Sequence, residues 1–374
     1  MTAFLFRSLS LHSRVGRTRI STASPTTAFA SNRQTSAVSA RLSRQADSKG
    51  RSGVTIVELL IVLAVISLLV SLAAPSVMQA REAARNAQCK ARLKELALAA
   101  HGHHEQYGRF PVEIENNHIH ISSISPHVLL LPFLDEAALF ERIALQDTFL
   151  HSAVSRPTSQ SNQELMSITV KAFECPSDAV PAGGVSYRMC AGTSPGGHES
   201  AGVAPPDAAL CGVASRAGQH LSGITDGASH TVLFSERLVG DSDPSTYSPR
   251  RDIVTRIPGS APLPFRTAAD AAVACTLNWS QVRHHASFSG ACWLDSGFQS
   301  TLYNHVHVPN SRLPDCSQGE TGSDLGAFSA RSNHGDMVNS AMCDGRVEPI
   351  SSSIDLTVWR ALGTVAGNED TGEY

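Results

Sequence analysis

"GVTIVELLIVLAVISLLVSLAAPSVMQAREAARNAQCKARLKELALAAHGHHEQY" (Gly53–Tyr107) reads as one helix with two characters. From Ile56 to Ala74 nearly every residue is apolar, with Glu58, Ser67 and Ser71 as the exceptions. Nineteen residues at about 1.5 Å each come close to the thickness of a bilayer core. Beyond Pro75 the apolar positions thin out to a stripe, Cys89, Leu93, Leu96, Ala100 and Tyr107, at helical spacing. Gly108 and Pro111 are stop signals. The stretch therefore predicts a helix over 54–107, crossing a membrane with residues 55–75 and packing on a domain with the rest.

The charge distribution orients it. Residues 1–53 carry eight Arg, one Lys and a single acid, Asp47, leaving 21 bases against 32 acids after Gly53. A basic leader keeps the N-terminus in the cytoplasm, so residues after Pro75 are expected outside. The acidic remainder gives nucleic acid nothing to bind. Arg81, Arg85, Lys90, Arg92 and Lys94 follow the apolar segment, where lipid headgroups would accept them. A cleaved secretory signal normally has 7–15 apolar residues and no charge. A plain anchor leaves Glu58 unexplained, because a carboxylate in hydrocarbon is costly.

Gly53-Val54-Thr55-Ile56-Val57-Glu58-Leu59-Leu60 resembles the type IV prepilin signal. The resemblance implies that prepilin peptidase cuts after Gly53 and that the new N-terminus, Val54, is methylated. It also implies that Glu58 faces the terminal amine of a neighbouring pilin or pseudopilin subunit inside the bilayer. Opposite charges are tolerable there when paired. Pro75 stands where pilins carry a helix-kinking proline. The leader 1–53 is expected to be removed, and no fold is expected of it.

Residues 108–374 change character. Short apolar runs alternate with Gly, Pro, Ser and Asn. Ser167–Phe173, His230–Glu236 and Arg346–Ser351 read as strands, and Leu134–Leu145 and Ile354–Leu362 as short helices. The fold class is α+β: a long N-terminal helix on a mainly antiparallel β domain, with long loops at Ala191–Gly212 and Gly240–Thr267. The eight cysteines, Cys89, Cys175, Cys190, Cys211, Cys275, Cys292, Cys316 and Cys343, form no C-x-x-C knuckle. In an exported protein most are expected in disulfides, and eight cysteines allow 105 pairings.

A second resemblance covers most of the chain, that to the pilin-like exported proteins of the domain of unknown function 1559 family. It rests on Ala80–His101, Val128–Ile143, "FECPSD" (Phe173–Asp178), "GITDGASHTVLFSE" (Gly223–Glu236), "YNHVHVPNSRLPDC" (Tyr303–Cys316) and "VWRALGT" (Val358–Thr364), in order. The family's C-terminal signature, His, nine residues, Asp-Gly, is His334 with Asp344 and Gly345. The family brings no established activity with it.

The residues themselves point to little chemistry. His101, His103 and His104 end the helix, with His118 and His120 nearby, but no third ligand is indicated, and no metal site is expected. "NHGDMVNSAMCDGRVEPI" reads as strand, Asp-Gly turn, strand, with Asp344 capping the turn and Gly345 at positive φ. "TDGAS" (Thr225–Ser229) reads as a second such turn. No G-x-S-x-G, H-E-x-x-H or phosphate-loop motif occurs, so no catalytic residue, cofactor or enzymatic activity is expected. The expected function is a pilin-like or pseudopilin-like structural protein of a type II secretion or type IV pilus type of machinery. It would sit in the bacterial inner membrane in a single pass, with its C-terminal domain extracytoplasmic. The alternatives are a tethered extracytoplasmic binding module, for example for glycans, and an exported enzyme.

Overall fold

The computed structural model describes residues 53–112, 114–115, 123–145, 149–150, 156–157, 159–178, 181–194, 212–214, 218–255, 267–279, 284–319, 325–369 and 372. The chain forms two units, Met1–Val62 and Leu63–Tyr374. In chain order the described elements begin with α1 (Ile56–Tyr107), the strand pair β1 (Ile114–Glu115) and β2 (Ser123–Ile124), α2 (Pro126–Leu130) and α3 (Ala137–Phe140). The pair β3 (Phe149–Leu150) and β4 (Arg156–Pro157), α4 (Gln160–Leu165), β5 (Tyr187–Cys190), β6 (Val232–Glu236) and β7 (Ile253–Val254) follow. Then come α5 (Ala268–Trp279), β8 (His285–Ala286), β9 (Leu302–Tyr303), β10 (Asp315–Ser317), β11 (Gly326–Ala327), β12 (Met337–Met342), β13 (Val347–Ser351) and α6 (Leu356–Ala361).

In the first unit, the start of α1 is closed by a reciprocal cap. Thr55 N and Thr55 Oγ1 both donate to Glu58 Oε2, at 2.8 and 3.0 Å, and Glu58 N donates to Thr55 Oγ1 at 3.2 Å. This is a capping box, T-x-x-E, which satisfies donors that the first helical turn leaves unpaired. α1 as a whole is long and apolar enough to cross a membrane, and its most apolar window is exposed throughout. It runs through Pro75 and ends where Gly108, at φ +77°, donates its N–H to His104 O at 2.7 Å.

In the second unit, the later part of α1 buries Cys89, Leu93, Leu96, Ala97, Ala99, Ala100 and His103. Tyr107, expected on that stripe, is exposed and lies against the His103 ring instead. The alanines bring the helix backbone close to the domain, and at Gly102 a Cβ would stand 2.8 Å from Phe133. The core they enter contains Phe173, Tyr187, Met189, Phe234 and Trp293.

The main sheet has the order β13-β12-β6-β5-β9, antiparallel except for β5 with β9. The smaller sheet, β11-β10-β7-β8, is antiparallel except for β10 with β7. The α+β expectation therefore holds, with two parallel pairs. β12 shows how the main sheet is covered on both faces. Val338 and Met342 pack with Trp359 and Leu362 at α6, while Ala341 joins the core that α1 enters. The Cys275–Cys316 disulfide ties α5 to β10.

Three sequence expectations need correction. Ser167–Phe173 forms no strand: Lys171–Phe173 is a 3-10 turn, and Ile168 O accepts from Trp293 Nε1 at 2.9 Å rather than from a neighbouring strand. The helix expected over Leu134–Leu145 shrinks to α3. Asp135 adopts φ +60°, and Glu136 N turns back to Leu131 O at 3.0 Å, which breaks the helical path. The Gly240–Thr267 stretch is not all surface loop, because Asp252, Ile253, Val254 and Thr255 are buried around β7. Residues 195–211 and 256–266 lie outside the described residues, as does Cys211. His230–Glu236, Arg346–Ser351 and Ile354–Leu362 appear as β6, β13 and α6, the last capped by Asp355, whose side chain accepts from Thr357 N and Val358 N.

Candidate functional site

His334 and Gly345 both reach α1. His334 precedes β12 in a loop set by Ser332, whose Oγ accepts from His334 N at 3.2 Å. Its imidazole is buried between two carboxylates. Nδ1 lies 2.8 Å from Glu82 Oε1 on α1, and Nε2 lies 3.4 Å from Glu236 Oε1 at the end of β6. Nε2 is also 3.5 Å from Cys175 Sγ, and Cys175 is disulfide-bonded to Cys89 of α1.

Each arm is fixed in turn. Glu236 Oε2 accepts from Asn339 N and Oε1 from Asn339 Nδ2, both at 2.9 Å. Asn339 Nδ2 also donates to Asn86 Oδ1 on α1 at 2.8 Å. Glu82 Oε1 accepts from Ser177 Oγ at 3.0 Å, and Glu82 Oε2 pairs with Arg85 at 2.7 Å. Burial alone would lower the His334 pKa, but hydrogen bonds and charge from Glu236 and Glu82 outweigh it, and the net shift is upward. The site thus holds the His334 imidazole between two carboxylates, one from the helix and one from the sheet.

The Asp344-Gly345 turn meets α1 further along. Gly345, at φ +82°, presents its carbonyl to Lys94 Nζ at 2.7 Å. Asp344 Oδ1 caps the turn by accepting from Arg346 N at 2.8 Å, as the Asp-Gly pattern predicts. Arg92 donates to the Glu174 carbonyl. Two of the five cations expected at lipid headgroups, Arg92 and Lys94, therefore bind carbonyls of the domain. The second Asp-Gly turn works differently. Gly227 has φ +98°, but Asp226 receives the N–H groups of Gly367 and Asn368, both at 2.8 Å, and so fastens the segment after α6.

The remaining landmark residues also act as fasteners. His305 stacks on Trp359 with ring centroids 3.6 Å apart and bonds Trp359 O through Nδ1 at 2.6 Å. Burial pushes His305 down to about 3, so it is neutral there. Asp315 sits between Arg237 at 2.5 Å and Arg331 at 3.0 Å, all three buried. Burial alone would raise its pKa, but the two guanidinium groups hold its carboxyl well below the usual range.

The other sequence candidates scatter. Gly53 and Val54 are exposed at the foot of α1. Glu58 is in the capping box. His101 and His104 do not meet as a metal pair: His104 Nε2 accepts from Leu221 N at 3.1 Å, and the His101 ring lies near Gly345. His103 Nδ1 bonds the Arg109 carbonyl at 2.9 Å. His118 and His120 lie outside the described residues. Among the described residues, the group Cys89, Cys175, Glu236 and His334 brings metal-binding chemistry together. Spacing gives no hint of it, because its members come from four separate segments. Of the described cysteines, four are in disulfides and Cys190, Cys292 and Cys343 are free and buried.

A family model described as "Protein of unknown function (DUF1559)" matches residues 78–357, well over half the chain. The match includes Glu82, Cys89, Cys175, Glu236, His334 and Asp344-Gly345, and excludes Gly53–Leu60. No curated protein and no solved structure matches.

Proposed function

The chain belongs to the DUF1559 family, and from that premise we propose that it is a pilin-like or pseudopilin-like structural protein anchored by α1. In this reading prepilin peptidase cuts between Gly53 and Val54 and Val54 is N-methylated. Type II secretion or type IV pilus machinery then exports the chain or assembles it with itself or related subunits. The anchor, residues 55–75, sits in the bacterial inner membrane with the C-terminal domain, residues 108–374, extracytoplasmic. The role is mechanical, and neither catalysis nor a cofactor is invoked.

One observation carries the reading. A single helix has an exposed apolar segment before its midpoint and, beyond it, a face pinned to the domain by Glu82–His334, Cys89–Cys175 and Lys94–Gly345. Such pinning is what a subunit needs if force or assembly on the helix is to reach the domain. A flexible tether would need none of it. The exposed Gly53-Val54 bond and the fit of Gly53–Leu60 to the prepilin signal support the processing step.

The test is the mature N-terminus. Mass spectrometry of protein from cells containing the peptidase is expected to find Val54 first, carrying one methyl group. A start after Ala74, or an uncut chain, would overturn the reading.

A further inference from the structure

We propose that, once the Cys89–Cys175 disulfide is reduced, Cys89, Cys175, Glu236 and His334 bind one zinc(II) ion between α1 and the domain. The four ligating atoms already lie within 4.8 Å of one another, and all four residues are buried. A tetrahedral zinc with bonds of about 2.3 Å to sulfur and about 2.1 Å to nitrogen and oxygen fixes the edges of its coordination shell. The nitrogen–oxygen edge is about 3.4 Å and the nitrogen–sulfur edge about 3.6 Å. His334 Nε2 stands 3.4 Å from Glu236 Oε1 and 3.5 Å from Cys175 Sγ. Two edges of the shell are therefore in place before any metal arrives.

The outer shell is in place as well. Metal-ligating histidines usually give their other ring N–H to a carboxylate, which fixes the tautomer and the ring orientation. Glu82 Oε1, 2.8 Å from His334 Nδ1, holds that position. Asn339 orients Glu236 through its backbone N–H and its side-chain amide. Two soft sulfurs with one imidazole select zinc over magnesium or calcium, which take oxygen ligands.

The chemistry balances with a dithiol as reductant. Its thiolate attacks one sulfur of the bridge, the Cys89–Cys175 bond breaks, and the second thiol closes the reductant into a cyclic disulfide. Two electrons and two protons pass to Cys89 Sγ and Cys175 Sγ. Zinc then displaces both thiol protons and the proton on His334 Nε2 into solvent, with no further electron transfer. The sulfurs separate to about 3.8 Å, the sulfur–sulfur edge of the same tetrahedron. A disulfide compound reverses the step: one thiolate attacks it and the second closes the Cys89–Cys175 bond. The oxidant leaves as a dithiol with the two electrons and two protons from solvent, and the zinc ion is released. In either state α1 stays linked to the domain, by a covalent bond or by a metal.

The inference does not rest on the pilin-like reading, and its test is independent of processing. The full chain in detergent, without an affinity tag, is treated with tris(2-carboxyethyl)phosphine, dialysed against zinc sulfate and analysed for bound metal. One zinc per reduced chain is expected, and none per oxidised chain. In the same samples, zinc is expected to protect Cys89 and Cys175 from N-ethylmaleimide, mapped by mass spectrometry, and to leave Cys275 and Cys316 reactive. His334→Ala is expected to weaken binding at least tenfold. If the reduced apo chain loses its fold, zinc is expected to restore the far-ultraviolet circular dichroism. No zinc above the level of the Cys89→Ser, Cys175→Ser double variant, no protection, or no recovery of a lost fold would overturn the proposal.

Discussion

His334 Nδ1 and Glu82 Oε1 meet at 2.8 Å although 252 positions separate them in sequence. The pair joins the last loop before β12 to α1, and Glu236 completes it from the sheet. Replacing His334 by Ala leaves a buried carboxylate, Glu236, with Asn339 but without its cation. The expected loss is about 2–4 kcal/mol, read as a lower midpoint in urea. Glu82→Gln is expected to cost about 1 kcal/mol or less, because the Glu82 side chain is 39% exposed. Equal effects of the two changes would place the stabilisation elsewhere.

The pair also sets a pH dependence. His334 titrates above its ordinary value in the folded chain. Its contribution is therefore complete below about pH 6.5 and is lost as pH rises through the folded value. Asp252 bends the curve the same way: burial first, then Asp241 and Asp243, push its carboxyl up to about 7. The useful comparison is with His334→Gln, measured by urea unfolding at about pH 5.5 and about pH 8.5. Wild type is expected to lose more stability across that interval than the variant. Parallel curves would mean that His334 does not titrate between its carboxylates.

Gly345 offers a third measurement. At φ +82° a side chain is strained, and a Cβ would stand 3.3 Å from Lys94 Nζ. Gly345→Ala is expected to cost about 1–2 kcal/mol. Much of that loss should disappear in a Lys94→Ala background if the turn works by holding the helix. Additive losses would assign the glycine to turn geometry alone.

Thiol chemistry gives a fourth. Among the described residues Cys89, Cys175, Cys275 and Cys316 are expected to resist labelling in unreduced, denatured chain, while Cys190, Cys292 and Cys343 label. In the native chain these three should react slowly, since burial pushes Cys190 and Cys292 up to about 12 and shields the sulfur. Among the described residues four of the seven cysteines pair, in two bridges. These close stretches of 86 and 41 residues, each contributing roughly 4 kcal/mol through the unfolded chain.

What sequence reading reaches here follows how local each cause is. α1, the Asp344-Gly345 turn and the β12–β13 hairpin depend on neighbours within a few positions, and all three are legible. Ser167–Phe173 has strand composition, yet its carbonyls are engaged by Trp293 and Ser186, far along the chain. Glu82, Cys175 and Glu236 lie in stretches that carry the family resemblance, as His334 and Asp344 do, but nothing in the sequence joins them to His334, because only the folded chain brings them together. The Thr55–Glu58 cap is the opposite case. It stands in the sequence as T-I-V-E, and reading Glu58 solely as an intermolecular charge passes over it.

That cap changes what a test of Glu58 must distinguish. One role is local: Oε2 accepts from Thr55 N and Oγ1 and closes the first turn. The proposed role is intermolecular: the carboxylate offsets the Val54 amine of a neighbouring subunit. Ala removes both and separates nothing. Gln at the third helical position can still bond back to the Thr55 N–H, so Glu58→Gln keeps the cap and removes the charge. Thr55→Ala keeps the charge and weakens the cap, at a cost of about 1 kcal/mol at the helix end. If Glu58 pairs with an amine, Glu58→Gln is expected to insert and be cut after Gly53 like wild type, yet fail to co-purify with itself or with pilin partners. Thr55→Ala is expected to insert, be cut and co-purify. The measurements are membrane fraction, N-terminal mass and pull-down with a second, differently tagged copy. Normal co-purification of Glu58→Gln together with loss in Thr55→Ala would make Glu58 a capping residue, with no intermolecular charge to offset.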